Sequence, residues 1–391
     1  ADFDFYRAIP PGGWTHGRPS SERTDVGDGD VPPETLGLDY FGYSPMHLYR
    51  EPALAALATA TLLVQRVLNS GEYVGAQWLE SSATVEETLY WLGLLIDTDV
   101  PIVGHSAQRA HGTLSADGDR NIVDGVKYLL SGVALDGDGH DRVGPVVIVD
   151  EVVYAAREIA KIDARPGGYE TVGGHGGVVA DMGGFGPPQV TFVPARRHTR
   201  TSRVRLTALP ETVRAVTGTP GAIREVTVRV RDGADLLADA MPYVGFVKRG
   251  TYGASATAGT ATPDASGEVE ILARIEANLR LHPLAGFVAE GNAPYGTMGP
   301  TTNAALSVAT FSGMPVVRVG RGNTGGMAYK NEPTVIGGNN LSATKARILL
   351  MAAMLKLGSL PVAADPSHPT DDEVDATRAA IAEYQNIFDT H

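Results

Sequence analysis

Two serine hydroxyls stand directly ahead of a predicted helix start, in Ser81-Ser82-Ala83-Thr84-Val85-Glu86-Glu87-Thr88. A serine hydroxyl is a weak nucleophile until a base takes its proton, and a helix start offers free backbone N–H groups that stabilise an oxyanion. The chemistry this suits is acyl transfer. The plainer reading has Ser81-Ser82 close a strand while Thr84 caps the helix, with Glu87 completing a capping box. His105, Arg109 and His111 follow a predicted strand, in a loop after its end, where α/β folds bind ligands. A guanidinium there, or at Arg18 or Arg50, can grip a carboxylate with two hydrogen bonds. Their ordinary alternatives are a hydrogen-bonded core histidine and packing or surface arginines. The ten histidines lack metal-ligand spacing, so no metal is expected. The glycines of 12–13 and 165–188 form neither a dinucleotide fingerprint nor a P-loop, and no cofactor is expected.

These residues need a scaffold, and 391 residues suffice for two sizeable cores. Cysteine is absent, which excludes a thiolate nucleophile, a disulfide and a cysteine–zinc site. A formal net charge of −13 argues against nucleic acid or an anionic membrane as partner. No apolar run reaches the ~18 residues of a membrane span. The opening residues lack the basic and apolar regions of a signal peptide, so a cytoplasmic location, or a signal already removed, is expected. Helices are predicted over 51–69, 84–92 and 118–130, and strands over 100–103 and 145–149. That alternation argues for an α/β domain with a mainly parallel sheet. Residues 165–188 read as a glycine-rich loop or lid, and 209–222 as a linker. Beyond it, strands are predicted over 226–230, 286–288 and 316–319. Helices are predicted over 234–241, 302–311, 341–357 and 371–388, and 250–267 reads as a surface insertion.

The segments T-V-E-E-T (84–88) and S-A-D-G-D-R-N (115–121) resemble the L-asparaginase/glutaminase family. So do D-E-V-V-Y-A-A-R-E-I-A-K (150–161), P-A-R-R-H-T (194–199) and N-L-S-A-T-K-A-R-I-L-L (340–350). Arg318, Arg321, Thr324 and Gly325 match a further turn of that family, all in its order from about residue 42 onward. The resemblance implies an N-terminal domain over 1–208 carrying most of the active site, the linker 209–222, and a smaller α/β domain over 223–391. It also implies a homotetramer, or a homodimer, whose subunits share active sites.

The departures from the family are as specific as the matches. Pro11 stands where the family's attacking threonine would be, Ser82 where its second catalytic threonine is, and Ala83 where its catalytic aspartate is. The family's lysine is retained as Lys161. Tyr43-Ser44 align with a substrate-binding Ser-Gln pair, and Tyr43 can donate to a substrate carboxylate. Pro294 replaces an asparagine from the neighbouring subunit, although Asn292 of that motif remains. Glu332 aligns with the neighbour's glutamate. Thr15 or His16 lies in the region of the family's mobile loop and can supply a replacement hydroxyl or base.

An amino-acid ammonium needs acceptors around it, and three of the family's four are replaced, by Ala83, Ser44 and Pro294. A half-paired buried ammonium costs several kcal/mol, so asparagine and glutamine are expected to be poor substrates. Without the aspartate, Lys161 is expected to tend toward the neutral form that a base needs. The expected activity is hydrolysis of a C–N bond in a small amide or ureido compound lacking an α-amino group and bearing a carboxylate. Ser82, Lys161 and Thr15 would be catalytic. Tyr43, Ser44, Ser81, Ala83, His105, Arg109, Asn292 and Glu332 would bind substrate. Two alternatives stand beside it: a true asparaginase with relocated active-site residues, and a non-catalytic protein that binds a small acid.

Overall fold

The computed structural model describes residues 53–109, 114–171, 176–183, 186–249, 264–322 and 332–391. Helices α1 (Leu54–Leu68), α2 (Val85–Leu95) and α3 (Gly118–Ser131) alternate with strands β1 (Ala76–Leu79), β2 (Ile102–His105) and β3 (Val146–Val149). Strand β2 pairs with β1 on one side and β3 on the other, both parallel. Its two faces are covered by different helices. At Gly104 the nearest neighbours are Val85 and Leu89 of α2, whereas the ring of His105 meets Gly125 of α3. Burial on both faces explains why β2 and β3 are apolar or small nearly throughout. Helix α2 is apolar nearly all round and correspondingly buried, with Trp91 donating its ring N–H to Thr61 of α1 at 2.7 Å. Helix α3 ends at Gly132, whose left-handed φ of 65° suits the residue after a helix.

Past β3 the sheet changes direction. Asp150 and Glu151, both at positive φ, make a two-residue turn into antiparallel β4 (Val152–Ala155), the turn handedness that matches strand twist. Strands β5 (Ile159–Lys161) and β6 (Tyr169–Thr171) then form a separate antiparallel pair. Strands β7 (Val178–Asp181) and β8 (Gln189–Val190) complete the sheet, whose order is β1-β2-β3-β4-β7-β8. The first sheet is therefore parallel only through β3, because an apolar run such as 145–149 reports burial and not strand direction.

The stretch 209–222, expected as a linker, holds β9 (Thr212–Thr219), which pairs antiparallel with β10 (Ala222–Arg229). Pro220 and Gly221 are merely the turn between them. The helix expected over 234–241 is instead part of a two-residue pair, β11 (Arg231–Asp232) with β12 (Asp235–Leu236), followed by a 3-10 turn at Ala238–Ala240. A second sheet is fully parallel: β13 (Tyr243–Lys248), β14 (Ala285–Gly291), β15 (Val316–Gly320) and β16 (Ile336–Gly337). Helices α4 (Val269–Leu281), α5 (Pro300–Phe311), α6 (Ala343–Leu357) and α7 (Asp371–Thr390) accompany it. One apolar cluster runs from Trp91 and Leu92 of α2 through Val288 and Val317 to Leu349 and Leu350 of α6 and Ile381 of α7. Among the described residues, no helix is long and apolar enough to cross a membrane.

Candidate active site

The C-terminal ends of β1 and β2 carry the first two parts of the site. After β1, Ser81 organises a turn. Its carbonyl accepts the N–H groups of Thr84 and Val85 at 3.1 and 3.0 Å, and its hydroxyl accepts the Ala83 N–H at 3.4 Å. Two expectations change here. Thr84 makes no side-chain cap, so the capping box at the start of α2 is not formed. The N–H groups of Ala83, Thr84 and Val85 are also already engaged, which removes most of the oxyanion donors that the helix start was expected to supply. Ser82 lies half-buried at the centre of this turn, and its hydroxyl has no hydrogen-bond partner among the described residues.

Tyr169 joins the turn to the rest of the site. Its buried hydroxyl donates to the Ser82 carbonyl at 2.9 Å and lies 2.7 Å from the Ser106 hydroxyl just past β2. Since the phenol proton goes to the carbonyl, Ser106 donates to Tyr169. Burial raises the Tyr169 pKa, which keeps it a neutral donor. Tyr169 is also the register partner of Lys161 in the β5–β6 pair, and the Lys161 ammonium lies 5.3 Å from its ring centroid. The structure thus brings Ser82 and Lys161 to one corner through Tyr169. It does not join them directly, because Lys161 Nζ donates to the Arg165 carbonyl at 2.6 Å. Neither Tyr169 nor Ser106 was singled out from sequence. Tyr169 sits in the glycine-rich stretch that read as a lid, and only its pairing with Lys161 reveals it.

The loop after β2 is held by Asp117, the aspartate of the S-A-D-G segment. Its buried carboxylate accepts the N–H groups of Gln108 at 3.1 Å and Arg109 at 2.9 Å. Gln108 in turn accepts the Gly167 N–H, tying this loop to the one that follows Lys161. Arg109 stays partly exposed, with Asp150 at 3.5 Å as a loose partner. His105 does not. It is 2 % exposed beneath α3, with Nδ1 facing the Ile148 carbonyl at 3.4 Å and Nε2 buried against Gly125 without a hydrogen-bond partner among the described residues. Burial lowers its pKa to about 4, so the ring is neutral and serves the core rather than a ligand.

Behind the turn lies a buried charged layer. The Lys161 N–H donates to Glu86 Oε2 at 2.6 Å. Burial raises the pKa values of Glu86 and Glu87, opposed at Glu86 by Lys345. Lys345 is itself fully buried, and its pKa falls to about 8.

Asn292 and Glu332 lie elsewhere. Asn292 follows β14, where its N–H and carbonyl hold a turn with Thr297 and Gly296. Glu332 forms a two-armed ion pair with Arg318 of β15, at 2.9 and 2.8 Å. Within one chain, no hydrogen bond or ion pair links either residue to Ser82, Lys161 or Tyr169 among the described residues. Thr15, His16, Tyr43, Ser44 and His111 lie outside the described residues. No cluster of three or more histidine, aspartate or glutamate side chains gathers as a metal site among the described ones.

No protein-family model matches the chain. Curated proteins do match over parts of it. An L-asparaginase of Bacillus licheniformis is 30% identical over 135 residues, which are 34% of this chain and 39% of that protein. A glutaminase-asparaginase of Acinetobacter glutaminasificans is 35% identical over 78 residues, 20% of this chain and 22% of that protein. A glutaminase-asparaginase of Pseudomonas fluorescens biotype A is 28% identical over 140 residues, 36% of each. The matched stretches thus span well under half the length of these relatives. Matches to proteins of one kind, alongside motifs in the same order, show a likeness to L-asparaginases and glutaminase-asparaginases over these stretches.

Proposed function

We propose that this protein is an amidohydrolase that cleaves a C–N bond in a small amide or ureido compound lacking an α-amino group. The observation that carries the reading is the joint tethering of Ser82 and Lys161 by Tyr169, with the Ser82 hydroxyl unpartnered among the described residues. Ser82 is the nucleophile in this reading. Lys161 turns from the Arg165 carbonyl to take the serine proton, and Arg109 holds a substrate carboxylate in the loop after β2. The proton returns to the leaving nitrogen, and water releases the acid from Ser82. Ala83 leaves this corner without the carboxylate that would hold an amino group, which is why the substrate lacks one.

The reading takes Asn292 and Glu332 from a second copy, as the family resemblance implies, and so includes an oligomer with shared active sites. It also includes the family's division into domains over 1–208 and 223–391, and a cytoplasmic location. The test is turnover of asparagine, glutamine, ureido acids, cyclic imides and dicarboxylic monoamides, read as ammonia, urea or new carboxylate. Turnover confined to compounds without the amino group, lost in Ser82→Ala and Lys161→Met, is the expected result. Rapid asparagine turnover would refute it.

A second reading is a non-catalytic binder of small acids. The contact between Lys161 and the Arg165 carbonyl favours it, since a lysine so held does not act as a base. Saturable binding of a dicarboxylic acid without turnover of any panel compound would select it.

A further inference from the structure

Lys345 is 0 % exposed inside α6, a helix otherwise buried through alanine, leucine, isoleucine and methionine. A buried ammonium costs several kcal/mol of desolvation, and an apolar side chain of similar length would fit the same surroundings at less cost. What the ammonium does there is visible from its partners. It donates to two backbone carbonyls, that of Glu86 and that of Ala156, the latter at 2.5 Å, and lies 5.5 Å from the Tyr90 ring centroid. These carbonyls belong to the two segments that carry the candidate chemistry. Glu86 sits in the first turn of α2, four residues after Ser82, and Ala156 lies five residues before Lys161.

A side chain closes the triangle. Glu86 Oε2, with its main chain held by Lys345, accepts the Lys161 N–H at 2.6 Å. The segment beside Ala156 is docked a second time at the entrance to α6. Arg157 donates to Asn340 Oδ1 at 3.0 Å, and Asn340 Nδ2 donates to Glu158 Oε2 at 3.3 Å. We infer that Lys345 is a positioning residue: from α6 it sets the start of α2 against the approach to β5, and with Glu86 it fixes the spacing of Ser82 and Lys161. The catalytic consequence rests on the proposed hydrolase reading; the mechanical linkage does not.

The test takes Lys345→Met, which keeps the stem and deletes the ammonium, with Glu86→Ala as a second variant that deletes only the acceptor of the Lys161 N–H. Amide hydrogen exchange is followed in the full chain. For Lys345→Met, protection should fall about tenfold in both 80–90 and 156–171 while β14 and β15 keep theirs. For Glu86→Ala, the loss should centre on Lys161. Unchanged protection in both segments, or an equal loss in β14 and β15, overturns the linkage. Should Lys345→Met fail to fold, unchanged exchange at Lys161 in Glu86→Ala overturns it instead. On any substrate the wild type turns over, Lys345→Met should lower kcat with little change in KM and shift the pH profile. Unaltered kcat alongside altered exchange would overturn the catalytic consequence and leave the hydrolase reading standing. Absence of wild-type turnover would sink that reading and leave the exchange result to judge the linkage.

Discussion

His105 makes the layer beneath the candidate site sensitive to acid. Its folded pKa is about 4, against an ordinary value near 6.5, because the ring is buried under α3. The neutral ring is the folded form, so above pH 6.5 this residue adds no pH dependence. As pH falls below 6.5 the unfolded chain takes up a proton that the folded one refuses. Stability drops until the folded ring also protonates around pH 4, and the loss is complete below that. The fall from 6.5 to about 4 corresponds to ~3 kcal/mol in total, and ~2 kcal/mol of it is lost by pH 5. His391, also brought to about 4 by burial, adds a loss of the same sign.

Urea unfolding at pH 7.5 and pH 5 of the wild type and of His105→Leu measures this. The variant removes the titration at the cost of the contact with the Ile148 carbonyl. Relative to the wild type, it should gain ~2 kcal/mol between the two pH values. A stability difference that stays constant with pH would refute the reasoning. The next residue, Ser106, hydrogen-bonds Tyr169, so activity lost in mild acid should return on neutralisation if this layer opens first.

Tyr169→Phe removes the donor to Ser82 and strands the Ser106 hydroxyl; it should cost ~1–3 kcal/mol by urea unfolding and slow acylation of Ser82 by an electrophilic probe. In Gly125→Ala the new Cβ would lie 2.2 Å from His105 Nε2, and this overpacking should cost ~1–3 kcal/mol and lower Tm, with no change expected in a Gly137→Ala control where nothing lies within 4 Å. Asp117→Ala frees the Gln108 and Arg109 amides; KM for any carboxylate substrate should rise at least as much as kcat falls, and an unaltered KM would argue against Arg109 as the anion clamp.

Much of the scaffold was legible because its elements are long and strongly patterned. The helices around 54–68, 118–131, 343–357 and 371–390, and the buried strands around 102–105 and 316–320, fall within a few residues of where the sequence put them. Prolines and glycines misled at β9–β10, where Pro220-Gly221 mark a hairpin turn and not a linker. Local rules also failed at Thr84, whose capping role passed to the Ser81 backbone and hydroxyl. The roles proposed for Ser82 and Lys161 came from resemblance to a family. Tyr169, Glu86 and Lys345 were not legible, since each acts through contacts tens to hundreds of residues away that no window along the chain contains. His105 was flagged by its place after a strand, yet strand alternation turns its ring toward α3 and into the core.

The apolar cluster that passes from α2 into α6 has a consequence for how this protein can change over generations. Where two halves share no interior, recombination can exchange one of them and keep the other. Here a crossover between residues 208 and 223 would join an α2 from one parent to an α6 from another, and their side chains interlock. Such hybrids should survive mainly when both parents carry compatible residues at Leu92, Leu349 and Leu350. Exchange of halves should therefore disturb this interior more than single substitutions at exposed positions do.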